Sequence, residues 1–292
     1  MLSTWLRAIR IRFLLASVIA VSNGLAIAYW KDTTVDPFYA ILTYIGVIFL
    51  HASVDLLNDY WDYKRGIDIA TKRTKFSGGT GVLPDNLLAP RTVYVAGIIF
   101  LVLGASIGAY FIAIRGIAIA IILGFAVIAI YFYSTRIVNA GLGELFVAIK
   151  GAMIVLGSLY VQNAMLEAAA LYVGVIVGIL SATVLFVNSF PDYDADKSKG
   201  RHTLVIMLGR KKASTIFPLF IIAAYALIAG GILLGLTKVY SVISFASLPL
   251  AIKSVVSLRK DPHNIDKLVP AMASAVTYSR ITGILLALSF IP

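Results

Sequence analysis

The stretch HASVDLLNDYWDYKRGID, residues 51–68, places a series of polar and acidic side chains at the end of an apolar run. Some of these residues recur at positions i, i+4, i+7 and i+11, which is the spacing of one helix face. They are His51, Asp55, Asn58 and Asp62. The stretch therefore predicts a polar stripe on a helix, at the point where that helix leaves its apolar surroundings.

The composition around this stretch is that of an integral membrane protein. Of the 292 residues, 60% are hydrophobic and 13% are charged, whereas a soluble domain typically has about 25% charged residues. The first apolar run, residues 13–30, follows three arginines, lacks a cleavage site and is long enough to span, so we expect it to stay in the mature protein. The absence of cysteine excludes disulfides, thiolate metal sites and a cysteine nucleophile.

Nine apolar segments approach the roughly 20 residues that a helix needs to cross a bilayer. They lie near residues 13–30, 38–57, 93–114, 117–134, 145–162, 168–190, 216–236, 239–252 and 272–291. The predicted fold class is all-α integral membrane, with nine transmembrane helices around a central cavity and polar cap loops on the cytoplasmic side.

The net charge is +11, and the positions of the lysines and arginines indicate the orientation of the chain in the membrane. With the N-terminus inside, 20 of the 25 lysines and arginines fall in inside segments and three in outside segments. This asymmetry follows the positive-inside rule. The rule explains the basic charge, so we expect no nucleic-acid partner. We expect a multi-pass protein of the cell membrane, with the N-terminus and the long polar loops, residues 58–91 and 188–213, in the cytoplasm.

The two long loops begin alike. NDYWDYKRG at residue 58 and NSFPDYDADKSKG at residue 188 share the pattern N-x-x-x-D-Y, and four predicted spans separate them. Both copies therefore emerge on the same side, as two parallel repeats would, although a match of three residues also arises by chance. We expect one transmembrane domain over residues 1–292, with duplication left open.

The second copy places Asn188, Asp192 and Asp196 at i, i+4 and i+8, which predicts a second helical stripe. Two facing stripes of carboxylates would repel each other unless divalent cations lay between them, and Asp and Asn oxygens suit Mg²⁺. Nearby basic residues would neutralise a diphosphate. The alternative is that the acids are solvated helix ends and that the cations only set the topology.

These motifs resemble those of the UbiA superfamily of intramembrane prenyltransferases over most of the chain. The first motif differs from the superfamily pattern in having its last aspartate at Asp68, a spacing that looks like the menaquinone-type branch, which prenylates 1,4-dihydroxy-2-naphthoate. Also similar to that branch are SGGTGVLPDNLL, GLGEL from Gly141 and the second motif. The chain departs from it at Asp55, where relatives often have Asn, and at Lys150, where relatives are usually apolar or aromatic.

The resemblance implies an Mg²⁺-dependent transferase that moves a polyprenyl group, geranylgeranyl or longer, from its diphosphate to an aromatic acceptor in the bilayer. Departure of diphosphate leaves an allylic carbocation, which the acceptor ring attacks, and in this branch CO₂ is lost. The implied metal ligands are Asn58, Asp62, Asp68, Asn188, Asp192 and Asp196. The expected catalytic residues are Asp62, Asp68, Asp192, Asp196, Tyr131 and Lys150. The expected diphosphate ligands are Arg10, Lys64, Arg65, Arg73, Lys199 and Arg201.

Two alternatives remain at this point. Within the superfamily, the acceptor could be geranylgeranylglyceryl phosphate, as in archaeal ether lipid synthesis, and Lys150 would then meet its phosphate. From another class, a secondary transporter would also need many spans. However, an odd number of helices and acids at one membrane face are not typical of a transporter, whose site lies near the bilayer midplane.

Overall fold

The computed structural model describes residues 1–32 and 34–291, and within them every regular element is a helix. The α-helices are α1 (Leu2–Ala8), α2 (Ile11–Asp32), α3 (Pro37–Lys64), α4 (Ile67–Ala70), α5 (Pro90–Arg115), α6 (Ile117–Phe132), α7 (Gly143–Asn163), α8 (Ala168–Asn188), α9 (Tyr193–Ser198), α10 (Leu204–Leu208), α11 (Arg210–Leu233), α12 (Leu248–Lys260) and α13 (Ile265–Leu288). A π-helical turn (Tyr133–Ile137) and a short 3₁₀ segment (Val138–Ala140) continue α6, and a longer 3₁₀ segment (Val239–Ser247) precedes α12.

Nine of these helical segments, counted over residues 1–32 and 34–291, are long and apolar enough to cross a membrane. This confirms the predicted number of spans, and most of the spans extend beyond their predicted ends. The eighth span, predicted over residues 239–252, extends to Val239–Lys260 because α12 continues to Lys260; its first nine residues form the 3₁₀ segment. The ninth begins at Ile265 and contains Pro270.

The spans differ in their depth within the bundle. The most apolar window of α8 is 61% buried by the protein, whereas that of the fourth span, Ile117–Ala140, is only 11% buried. Helix α8 is therefore central, and the fourth span presents most of its surface to the surrounding lipid. The main buried cluster joins α2, α7, α8, α11 and α13.

Small residues bring α7 and α8 together. A Cβ built on Gly151 would lie 2.6 Å from the Cα of Gly178, and one built on Gly174 would lie 2.8 Å from the Cα of Ala152. A Cβ on Gly178 would collide with the carbonyl oxygen of Ala148. Such close backbone contact is typical of small-residue interfaces between membrane helices.

We expect Gly178→Leu to push α7 and α8 apart and to cost about 1–3 kcal/mol, the usual range for overpacking. The measurement is the unfolding temperature in detergent. Gly124→Leu is the matched control, because a Cβ at Gly124 meets nothing within 4 Å. Equal unfolding temperatures for the two variants would contradict the packing described for α7 and α8.

The first polar stripe forms as predicted, because α3 continues to Lys64 and carries Asn58 and Asp62 on one helix. The second stripe is wrong as a single helix face. Helix α8 ends at Asn188, Asp192 lies in the turn that follows, and Asp196 belongs to α9. The break is explained by Pro191, which has no N–H to donate and whose ring clashes with the carbonyl four residues earlier.

Candidate functional site

A cavity of about 240 Å³ lies where α3 and α8 end, and we call it the polar cavity. Side chains from α2, α3, α7, α8 and α13 line it, together with the π-helical turn and both motif loops. It gathers most of the residues that the sequence suggested for the site: Arg10, Asn58, Asp62, Asp68, Lys150, Asn188, Asp192, Asp196 and Arg201. Two loops more than 100 residues apart therefore meet in one chamber.

The two carboxylates of the first motif on α3 have different surroundings. Asn58 lines the polar cavity and donates from Nδ2 to Asp62 Oδ2 at 3.0 Å and to Ser134 Oγ at 2.7 Å. Asp59 is buried beside Arg10, whose Nη2 lies 2.6 Å from Asp59 Oδ1, and it also accepts a hydrogen bond from Thr80. Asp62 thus lines the polar cavity, while Asp59 fixes the start of α2 and the glycine-rich loop.

The glycine-rich loop lies between the two motifs. A Cβ built on Gly79, which has a φ of +69°, would lie 2.5 Å from the carboxyl group of Asp68. The neighbouring Gly78 N–H donates to Asp192 Oδ2 at 3.3 Å. Only glycine at position 79 allows the backbone to approach Asp68 so closely in this conformation. The loop therefore connects the acids of the first motif to those of the second.

The carboxylates of the motif loops are electrostatically crowded. Burial, and then the charges of Asp59 and Asp62, raise the pKa of Asp68 to about 8. Burial and the charge of Asp196 likewise raise the pKa of Asp192 to about 7. Because these buried carboxylates repel each other, their surroundings favour the binding of a cation.

One arginine bridges the two motifs. Arg201 is 8% exposed and donates from Nη1 to Asp196 Oδ1 at 3.2 Å, while its Nη2 pairs closely with Asp62 Oδ1. Burial raises the pKa of Asp196 to about 6, against the opposing effect of Arg201. Arg201 therefore supplies a positive charge between carboxylates that would otherwise repel each other.

The chemistry of the donor set fits a hard divalent cation. Asn188 Oδ1 and Asp192 Oδ1 are buried without a hydrogen-bond partner in the described chain, so two oxygen ligands are available. Among residues 1–32 and 34–291, no three His, Cys, Asp or Glu side chains form a ready-made ion cage. Mg²⁺ does not need such a cage, because it usually takes one or two carboxylates and completes its shell with water and substrate phosphate.

Five residues suggested by the sequence do not line the polar cavity, and their roles there stay predictions. Arg65 donates to the carbonyl of Ser134 at 2.8 Å and to Asn139 Oδ1 at 3.0 Å, and Arg73 forms a paired contact with Asp85. The others are Lys64, which lies 5.9 Å from the Tyr60 ring centroid, Lys199, whose Nζ lies near Gly66, and Tyr131, which packs on Phe132.

Tyr133 lines the polar cavity, whereas Tyr131 does not. The change from α6 to a π-helical turn at Tyr133 alters which side chains face inward, and π-helical turns are frequent at functional sites. From the sequence, Tyr131 was the expected residue, because hydropathy carries no signal for such a turn. The pairing of Asp59 with Arg10 was likewise not predicted, although Asp59 lies in the first motif and Arg10 was an expected diphosphate ligand.

Two further cavities continue from the polar cavity into the bundle. The middle cavity, of about 240 Å³, shares Arg10, His51, Asp55 and Lys150 with the polar cavity. The apolar cavity, of about 120 Å³, shares Val47, Leu50, Phe125, Ala126, Lys150 and Ile154 with the middle cavity. Along α3 the series runs from Asp62 to Leu42, about 30 Å of helix, which is about the thickness of the hydrocarbon.

The fold and the site together define a class: a multi-pass helical membrane protein whose acid-lined chamber adjoins a series of more apolar cavities. Residues 16–275 match the UbiA prenyltransferase family. The chain therefore belongs to the UbiA prenyltransferase family, and it is a prenyltransferase.

Curated relatives resemble the chain over most of its length. It is 25% identical to 1,4-dihydroxy-2-naphthoate octaprenyltransferase of Bacillus subtilis (strain 168), over 95% of this chain and 89% of the relative. It is 26% identical to the protein of the same name from Escherichia coli (strain K12), over 85% of this chain and 82% of that relative.

Solved structures share the fold. A UbiA homolog from Archaeoglobus fulgidus bound to DMAPP and Mg²⁺ superposes with a TM-score of 0.68 at 17% identity, covering 97% of this chain and 99% of that one. A digeranylgeranylglyceryl phosphate synthase superposes with a TM-score of 0.67 at 18% identity, covering 99% of this chain and 98% of that one. The nine-span bundle is therefore the fold of known UbiA structures.

Proposed function

We propose that this protein transfers a polyprenyl group from its diphosphate to 1,4-dihydroxy-2-naphthoate, in an Mg²⁺-dependent reaction that forms a menaquinone precursor. The observation that carries the proposal is the series of cavities, which joins both acidic motifs to an apolar tunnel. Support for the acceptor comes from the relatives named 1,4-dihydroxy-2-naphthoate octaprenyltransferase. Support for the donor and the ion comes from the structural neighbour bound to DMAPP and Mg²⁺.

The polar cavity would hold the diphosphate end of the donor. The metal ligands in this proposal are Asn58, Asp62, Asp68, Asn188, Asp192 and Asp196. When bound, Mg²⁺ supplies the positive charge that stabilises the departing diphosphate. Arg10 and Arg201 line the same cavity and are placed to add hydrogen bonds to the phosphate oxygens. The glycine-rich loop at Gly78 and Gly79 lies against Asp192 and Asp68.

The apolar cavity would hold the far end of the prenyl chain, which would reach it along one side of the middle cavity. The lining of the apolar cavity is almost entirely hydrocarbon, from Leu42 on α3 to Val161 on α7. A chain entering from the polar cavity would pass Tyr133, whose ring face stabilises a nearby carbocation by about 0.5–2 kcal/mol. The reaction needs no protein nucleophile. The bond between the prenyl carbon and the diphosphate oxygen breaks, and the ring carbon of the acceptor then forms the new bond to that prenyl carbon.

The orientation in this proposal places the two motif loops in the cytoplasm and the protein in the cell membrane. The support is the excess of lysine and arginine in the segments on the motif side. The short helices α4, α9 and α10 cap the bundle on that side, over the polar cavity. We further propose that all catalytic parts belong to one transmembrane domain over residues 1–292.

The test offers purified protein geranylgeranyl diphosphate and Mg²⁺, with dihydroxynaphthoate and geranylgeranylglyceryl phosphate supplied in parallel. We expect prenylated naphthoquinol, CO₂ and diphosphate, and no product when EDTA removes the metal. An ether lipid product would overturn the proposed acceptor in favour of the archaeal lipid reaction. Product formed equally well in EDTA would overturn the role of Mg²⁺.

A further inference from the structure

Lys150 lies at the junction of the three cavities. It is on α7, seven residues after Gly143 and so about 10 Å from the start of that helix. It is the one residue within 1–32 and 34–291 that lines the polar, the middle and the apolar cavity. A prenyl chain that runs from the acidic motifs into the tunnel must therefore pass this side chain.

Lys150 differs from the other cations of the polar cavity in having no close partner. Arg10 pairs with Asp59, Arg201 with Asp62 and Asp196, and Arg280 donates to the carbonyl of Arg12. Within residues 1–32 and 34–291, no hydrogen bond and no ion pair of 4.0 Å or less joins Lys150 to the chain. The charge of Asp55 acts on Lys150 only from beyond ion-pair distance. An ammonium group inside a membrane span is costly unless it meets an anion at close range, so this position favours an anionic ligand.

The groups around Lys150 are those that would recognise an aromatic acid. Asp55 lies seven residues before Asp62, about 10 Å deeper along α3, and its Oδ2 is buried without a hydrogen-bond partner in the described chain. His51 Nε2 lies 3.8 Å from Asp55, and its Nδ1 is 2.7 Å from Ser17 Oγ. The rings of Phe125 and Phe146 stack at 5.7 Å and line the middle cavity.

We propose that Lys150 binds the acidic group of the acceptor and so selects acceptors that carry a carboxylate. The acceptor ring would pack in the middle cavity near Phe125 and Phe146, and its hydroxyl groups would face His51 and Asp55. An acceptor held there lies beside the path of the prenyl chain. The inference rests on the proposed function, because it assigns the carboxylate of the proposed acceptor to one side chain.

The experiment compares two acceptors, 1,4-dihydroxy-2-naphthoate and 1,4-dihydroxynaphthalene, which lacks the carboxylate. With the wild-type protein we expect a lower KM for the naphthoate. In Lys150→Met the KM for the naphthoate should rise about 10- to 100-fold, the loss expected for one charge-assisted hydrogen bond. The KM for the carboxylate-free acceptor and the KM for geranylgeranyl diphosphate should stay within about twofold of the wild type.

Two variants serve as controls. Lys150→Arg should recover part of the preference for the naphthoate, because the charge returns at the same position. Lys253→Met removes an exposed lysine from another span and should leave both KM values unchanged. Calorimetric binding of 1-hydroxy-2-naphthoate, compared with 1-naphthol, measures the same preference without turnover, and Lys150→Met should abolish the difference.

The outcomes separate this inference from the proposed function. If the wild type prenylates the naphthoate and Lys150→Met keeps the same preference, only the assignment of Lys150 is overturned. If the wild type neither prenylates nor binds the naphthoate, the acceptor and the assignment fall together. If Lys150→Met raises the KM values of both acceptors and the donor alike, the residue has a general structural role and the inference is overturned.

Discussion

Asp192→Asn and Asp62→Asn are each expected to lower prenyl transfer by about a hundredfold or more while the protein remains folded in detergent. The two residues come from different motifs, Asp62 on α3 and Asp192 in the turn after α8, and both line the polar cavity. Asparagine keeps the size of the side chain and removes the negative charge that would hold the metal. The measurement is diphosphate release at saturating Mg²⁺ and donor, with the unfolding temperature as the check on folding.

Asp194→Asn is the matched control for this experiment. Asp194 lies two residues after Asp192, its side chain is 77% exposed, and its partner is Arg210 at 2.9 Å. It does not line the polar cavity. We expect turnover within about twofold of the wild type for this variant. A wild-type rate of prenyl transfer in Asp192→Asn or Asp62→Asn would show that the substituted carboxylate is not needed for catalysis.

Arg201→Met is expected to have the largest effect on stability. The guanidinium group pairs with Asp62 and Asp196 in a buried position, and removal of one partner of such a group typically costs about 3–5 kcal/mol. The two carboxylates would then face each other without a cation between them. The measurement is thermal unfolding in detergent, first in EDTA and then with Mg²⁺, which should recover part of the loss by binding the folded state.

The control for Arg201 is Lys267→Met, which removes a cation from an exposed pair with Asp261. We expect no measurable change in its unfolding temperature, since exposed ion pairs contribute little. An unchanged unfolding temperature in Arg201→Met would contradict the view that this arginine holds the two motifs together. Loss of stability that Mg²⁺ does not reduce would contradict the placement of a cation site between them.

The fold was predictable because its signals are local. Hydropathy predicts spans from composition alone, and the helical spacing of Asn58 and Asp62 requires only that α3 continue beyond the apolar run. The second stripe failed because Pro191 interrupts a spacing that otherwise reads as helical. The proposed duplication of the two halves stays a prediction.

The site was predictable only in part, because the choice among basic residues depends on long-range folding. The sequence suggested Arg73 and Arg201 on similar grounds, yet Arg73 pairs with Asp85 and Arg201 bridges the acids of the polar cavity. The difference arises from the path of the loop over residues 65–90, which no local pattern encodes. The tunnel is likewise a product of packing between spans and has no linear signature.

The central claim is that both acidic motifs hold the metal and the donor diphosphate in one chamber. The most direct measurement is a crystal structure with Mn²⁺ and a non-hydrolysable prenyl thiodiphosphate, with anomalous scattering recorded at the manganese edge. We expect anomalous density between Asp62 or Asp68 on one side and Asp192 or Asp196 on the other, with the prenyl chain extending past Lys150. Density confined to the protein surface, with the thiodiphosphate outside the polar cavity, would contradict it.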